Sequence, residues 1–141
     1  MPTKTPYFVY DVFTDTAFGG NQLAVFPDAR GLPQDKLQRI AAEFNFSEVT
    51  FVCPPEDPNH TAKVRIFTPT SEVDFAGHPV IGTVIALRDT DYPAPDNLAT
   101  SEMVLELGVG PMPCRIDEKG AVATSWEMPS LTTLRCCFRS P

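Results

Sequence analysis

The chain has 141 residues, 43% of them apolar, a mean hydropathy of −0.09, and 18 acidic against 11 basic side chains for a net charge of −7. That length fills one hydrophobic core. An acidic field repels phosphate backbones and anionic lipid, which argues against nucleic acid or a membrane as partner and leaves room for a local pocket that takes a small anion.

The longest near-apolar stretch, 79–87, stops at Arg88, short of the roughly 20 residues a bilayer demands. No secretory signal is readable behind Lys4, so the expected location is cytoplasmic. The cysteines at 53, 114, 136 and 137 show no metal-ligand spacing with each other or with histidine. Reduced structural thiols and no metal are expected.

In chain order, 7–13 is rich in aromatic and β-branched residues and reads as a strand. Residues 18–22, Phe-Gly-Gly-Asn-Gln, read as a glycine turn, and 23–26 as a second strand ended by Pro27. Leu37, Ile40, Ala41 and Phe44 then repeat with helical period opposite a polar face, predicting an amphipathic helix with Pro33 in its first turn. Strand chemistry returns at 47–52. A rigid polar loop at 54–58 leads to a cleanly alternating strand at 62–67 and a turn at 68–71.

The stretch 79–87 is apolar almost all round, which predicts a helix buried on every side with Pro79 at its first position. Residues 94–101 read as a loop, and 102–107, 112–117 and 122–127 as three further strands. About eight strands and two helices follow, an α+β arrangement in which strands curl around the buried helix. Residues 1–128 form the expected domain. The segment 129–141 lacks acids, carries two arginines and adjacent cysteines, and reads as a tail out of character with the rest.

Three segments could carry chemistry. In Asn-Phe-Ser-Glu-Val-Thr-Phe-Val (45–52), alternation puts Glu48, Thr50 and Val52 on one face and Val49, Phe51 and Cys53 on the other. Glu48 thus opens a strand with little water around it, where a carboxylate can both take and give a proton. A strand-end glutamate in water or in an ion pair is the alternative. In Phe-Ala-Gly-His-Pro (75–79), His78 sits where a helix N-terminus offers free N–H groups and a positive dipole end, a place that holds an anion beside a neutral imidazole. A capping or core histidine is the alternative there, and Asp74 could pair with His78 or cap the turn. Gly-Gly-Asn-Gln (19–22) is by itself a hairpin turn signal. His60, in a polar loop, is expected to be solvent exposed.

Taken together, Asp-Val-Phe-Thr (11–14) with Phe-Gly-Gly-Asn-Gln-Leu-Ala-Val (18–25), Asn-Phe-Ser-Glu-Val-Thr-Phe (45–51), and Arg-Ile-Phe-Thr-Pro-Thr-Ser-Glu-Val-Asp-Phe-Ala-Gly-His-Pro-Val-Ile-Gly (65–82) resemble the phenazine biosynthesis PhzF-like family over roughly 6–127. The resemblance implies the diaminopimelate epimerase-like fold: two similar halves, each a curved mixed sheet around a central helix, with the active site between them. It also implies a cofactor-independent isomerase, the best-known member of which acts on trans-2,3-dihydro-3-hydroxyanthranilate. Glu48 would be the catalytic acid/base, standing where epimerase and racemase relatives use a cysteine. Gly77, His78, Ser47, Asp74 and Asn21 would line the site of a small anionic metabolite. Gln22 replaces a proline usual in the family. The family's second half, with its aspartate- and glycine-rich segment, has no counterpart here. A truncated or frame-shifted enzyme is therefore one expectation; a catalytically silent half-domain that folds, forms a homodimer or binds a ligand is the other.

Overall fold

The computed structural model describes residues 4–14, 16–90, 102–117, 120–123 and 136–139. Strand β1 (Phe8–Val12) forms a hairpin with β2 (Asn21–Phe26). The turn is shorter than the sequence suggests, because Asn21 and Gln22 already pair with Val12 and Asp11. The glycine needed at the bend is Gly20, where a Cβ would collide with the Val12 carbonyl oxygen and the Thr14 side chain. A 3-10 turn at Gln34–Lys36 precedes helix α1 (Leu37–Phe44). Pro33 therefore stands ahead of the first helical turn rather than inside it, extended at ψ 127°. Asn45 ends α1 in the left-handed conformation, φ 54°, and its N–H donates to Ala41 O, a conformation asparagine tolerates.

Strands β3 (Glu48–Cys53) and β4 (Ala62–Phe67) follow, then a two-residue strand β5 (Glu72–Val73) on β4 that has no visible signal in the sequence. Helix α2 (Gly77–Asp89) leads to β6 (Glu102–Leu107), β7 (Gly110–Asp117), β8 (Gly120–Ala123) and β9 (Cys136–Arg139). The main path runs β8-β7-β6-β4-β3-β2-β1-β9. Residues 136–139 thus continue the sheet, antiparallel to Val9–Val12. The loop expected at 94–101, the strand residues expected at 124–127 and most of 129–141 lie outside the described residues.

The sheet is mixed for a topological reason. Its two parallel pairs, β2 with β3 and β4 with β6, are the ones joined through a helix, α1 for the first and α2 for the second. A parallel pair needs such a crossover, whereas antiparallel neighbours close with a short turn. The helices lie on opposite faces. Against α1 pack Ala24, Phe26, Val49, Phe51 and Phe67. Against α2 pack Tyr10, Val12, Leu23, Val25, Val52, Val64, Ile66, Met103 and Leu105. The faces expected for 48–53 are the faces found, with Val52 beside α2 and Val49, Phe51 and Cys53 beside α1.

Every residue of α2 from His78 to Leu87 is buried. The helix touches β1, β2 and β3 on one side and β7 and β8 on the other, strands well apart in the sheet order, so the sheet curls around it. The approach is closest at Gly82, where a Cβ would collide with Leu23 Cδ2 and lie 3.0 Å from Val12 Cγ2. The buried Thr83 hydroxyl is satisfied by Thr50 of β3 at 2.8 Å, as a polar group in such a place must be. Among the described residues no helix is long and apolar enough to cross a membrane.

Candidate active site

The parallel pair β2–β3 sets the site. Leu23 is in register with Glu48, so the starts of both strands lie side by side, and the first turn of α2 comes down beside them. His78 Nδ1 lies 2.8 Å from Glu48 Oε2, with side-chain exposures of 7% and 18%. The approach is poorly aligned for a hydrogen bond: Glu48 Oε2 and His78 Nε2 are both buried atoms without a hydrogen-bond partner in the protein. Buried polar atoms are usually paired, and here the Gln22 backbone is a further polar neighbour of the ring. Burial pushes the His78 imidazole below its ordinary value, against the pull of the Glu48 carboxylate and the Gln22 backbone. The ring is therefore neutral at pH 7, able to donate through one nitrogen and accept through the other.

Helix α2 starts at Gly77, two residues before the position its proline suggested, and His78 is inside its first turn rather than ahead of it. Pro79 is tolerated there because the first four helical N–H groups have no partner within the helix, so a missing one costs nothing. The residue before the helix, Ala76, is extended and offers no side-chain cap. An added Cβ on Gly77 would meet nothing within 4 Å. The positive end of α2 is thus open on the side of Gly77, which suits a carboxylate.

Of the other residues expected here, Ser47 and Asn21 come together at the strand starts, where Ser47 Oγ donates to Asn21 Oδ1 at 3.1 Å. Both flank the Glu48 position. Asp74 neither caps α2 nor takes the contact on His78 that Glu48 makes. It is exposed and packs against the β6–β7 turn, where its Cα lies 2.7 Å from the place of a Cβ on Gly108. His60 corrects an expectation: its side chain is only 20% exposed, and Nδ1 lies 2.9 Å from Glu106 Oε1. Glu106, 46 residues away in sequence, draws it in.

No pattern in the sequence places Phe13 beside His78. Its ring centroid lies 6.0 Å from that of His78, a position decided by a left-handed backbone, φ 67°, which leaves no trace in residue spacing. The two described thiols, Cys53 and Cys114, are unreactive. Burial raises Cys53 and pushes Cys114 up to about 12, and a thiol that stays protonated is a poor nucleophile or ligand. Among the described residues no cluster of histidine, cysteine, aspartate and glutamate could hold a metal.

A carboxylate and an imidazole thus stand recessed together at one end of a curled α+β half-barrel. Comparisons with known proteins show the family to which this fold belongs. The profile of the phenazine biosynthesis-like protein family, PhzC-PhzF, matches residues 10–136, and the chain belongs to that family. It is 42% identical over 123 residues to an uncharacterised isomerase of Mesorhizobium japonicum, covering 87% of this chain and 39% of that one. It is 39% identical over 126 residues to the trans-2,3-dihydro-3-hydroxyanthranilate isomerase of Pseudomonas aeruginosa, covering 87% and 42%. The crystal structure of a PhzF-family protein of Bacillus anthracis superposes with a TM-score of 0.70 at 32% identity, over 84% of this chain and 38% of that one. A hydroxyproline epimerase of Agrobacterium vitis, 15% identical with a TM-score of 0.53 over 79% and 38%, shares the fold alone. The chain spans about two fifths of the length of these relatives.

Proposed function

We propose that this chain carries the acid/base wall of a cofactor-independent isomerase site, with Glu48 shuttling a proton between carbons of a small anionic substrate. His78 and the open N-terminus of α2 hold the substrate's carboxylate, and Asn21 and Ser47 supply polar contacts at the rim. The observation that carries this reading is the buried contact between Glu48 and His78, 2.8 Å long, at a helix start with no side-chain cap. A base must lie within hydrogen-bond reach of the proton it takes, and a carboxylate recessed beside a neutral ring can accept a proton and return it without a second acid. The Pseudomonas aeruginosa relative, an isomerase of trans-2,3-dihydro-3-hydroxyanthranilate by name, supports a ring-bearing amino acid as the substrate class.

Titration with trans-2,3-dihydro-3-hydroxyanthranilate, followed by amide NMR, tests the site. The expected result is saturable shifts at Gly77 and His78, with affinity falling at least tenfold in His78→Ala. Shifts scattered elsewhere, or none at millimolar ligand, would remove the reading. The competing reading is a silent module that folds or binds a ligand without turnover. Turnover, treated in the Discussion, separates the two.

A further inference from the structure

Phe8, Tyr10 and Val12 of β1 all pack on the α2 face of the sheet. Strict alternation would send Phe13 to the opposite face with Asp11, whose Oδ2 accepts from Phe18 N at 2.8 Å. Phe13 instead has φ 67°, and its ring ends 6.0 Å from the His78 ring at an interplanar angle of 48°. The left-handed conformation is unfavourable for a bulky side chain and free for glycine. The hairpin does not gain a buried anchor in return, because Phe13 remains 48% exposed. A strained, half-exposed aromatic residue gains little for the fold and a good deal for whatever its ring covers.

We propose that Phe13 is a positioning residue: the left-handed turn swings its ring over His78 to hold water off the imidazole and its contact with Glu48. This rests on the reading of Glu48 and His78 as the acid/base pair. Among the described residues, groups from three segments lie at the imidazole. From β3 comes the Glu48 carboxylate, from β2 the backbone of Gln22, and from the end of β1 the uncharged ring of Phe13. Of these only Phe13 is hydrophobic, and it stands one residue past the end of β1. Losing it would wet the ring without removing a charge.

The test is a substitution that suits the backbone and removes the ring. Glycine and asparagine both accept φ 67°, so Phe13→Gly and Phe13→Asn are expected to melt no lower than the parent chain. In both, the NMR titration midpoint of His78 is expected to rise toward the ordinary value of about 6.5, while Phe13→Leu, which keeps apolar bulk, stays near the parent midpoint. An unchanged midpoint in the glycine variant overturns the proposal. So does unfolding of both the glycine and the asparagine variants, which would make the ring a structural staple. The titration needs no substrate, so its failure is distinguishable from failure of the isomerase reading, which shows as lost ligand shifts in the parent chain.

Discussion

At residue 78, burial sets the direction of a pH dependence. The His78 imidazole titrates below its ordinary value in the folded chain, so the unfolded chain binds the extra proton first. Stability tied to neutral His78 is complete above about pH 6.5 and is lost as pH falls through the lower folded value. Chemical denaturation at pH 7.5 and 5.5 should show a loss for the parent chain that is smaller in His78→Gln. Equal losses would mean that other groups govern this window. Glu106 behaves in the opposite chemical sense. Burial works to raise its carboxyl, yet the N–H groups of Glu56 and Asp57, each at 2.8 Å, and the His60 ring hold it below the usual carboxylate range. Its contribution is present above about pH 4.3 and disappears as pH falls through the depressed value. Glu106→Gln leaves two backbone donors with one amide oxygen between them, and an urea melt at pH 7 should find it less stable by about 1 kcal/mol.

Among the elements, α2 tolerates least. Val84 is 1% exposed in the middle of the larger core, and Val84→Asp would bury an unpaired carboxylate at a cost of several kcal/mol. Soluble, cooperatively folded Val84→Asp would contradict the burial described for this helix. Gly82→Ala tests the contact between helix and sheet. Alanine raises helix propensity by about 1 kcal/mol, but its methyl group meets Leu23 and Val12, both fully buried, and overpacking such a place costs about 1–3 kcal/mol. The expected sign is a lower melting temperature despite the better helix former. A rise would show that α2 can lift off β1 and β2 without loss. Helix α1 makes a useful contrast, since only Leu37 and Ala41 are buried in it, and polar changes at the exposed Arg39 or Glu43 should stay within about 0.5 kcal/mol.

For the molecule as a whole, one face of the sheet is sealed by α1 and the other wraps α2, while Glu48 and His78 stand at the end where β2 and β3 begin. Small-substrate proton transfer needs the reacting carbon held against the base from more than one side, and these residues make one wall. Assayed as the 141-residue chain, the protein should bind trans-2,3-dihydro-3-hydroxyanthranilate without isomerising it at a useful rate. Turnover that disappears in Glu48→Gln would show that one wall suffices. Two copies facing each other would set two Glu48 side chains across a cleft, an arrangement suited to two-base racemisation. Amino-acid enantiomers assayed at rising protein concentration distinguish that outcome from isomerisation.

What the sequence determined by itself was local. Alternation placed Val49, Phe51 and Cys53 opposite Thr50 and Val52, and the apolar circumference of 79–87 was enough to bury a helix, because side-chain direction follows from backbone period alone. The family resemblance, rather than the residues alone, singled out Glu48 and His78, and the first turn of α2 beside the start of β3 brings them into contact. Tertiary structure decided what depends on partners distant along the chain or on one backbone torsion. His60 is drawn in by Glu106, Asp74 is carried to Gly108 rather than to His78, and β5 exists because β4 offers it an edge. Phe13 crosses to the α2 face through φ 67°. No periodicity records a single left-handed residue, and no local pattern records a register set between strands, so these features became visible only once the sheet had closed around its helix.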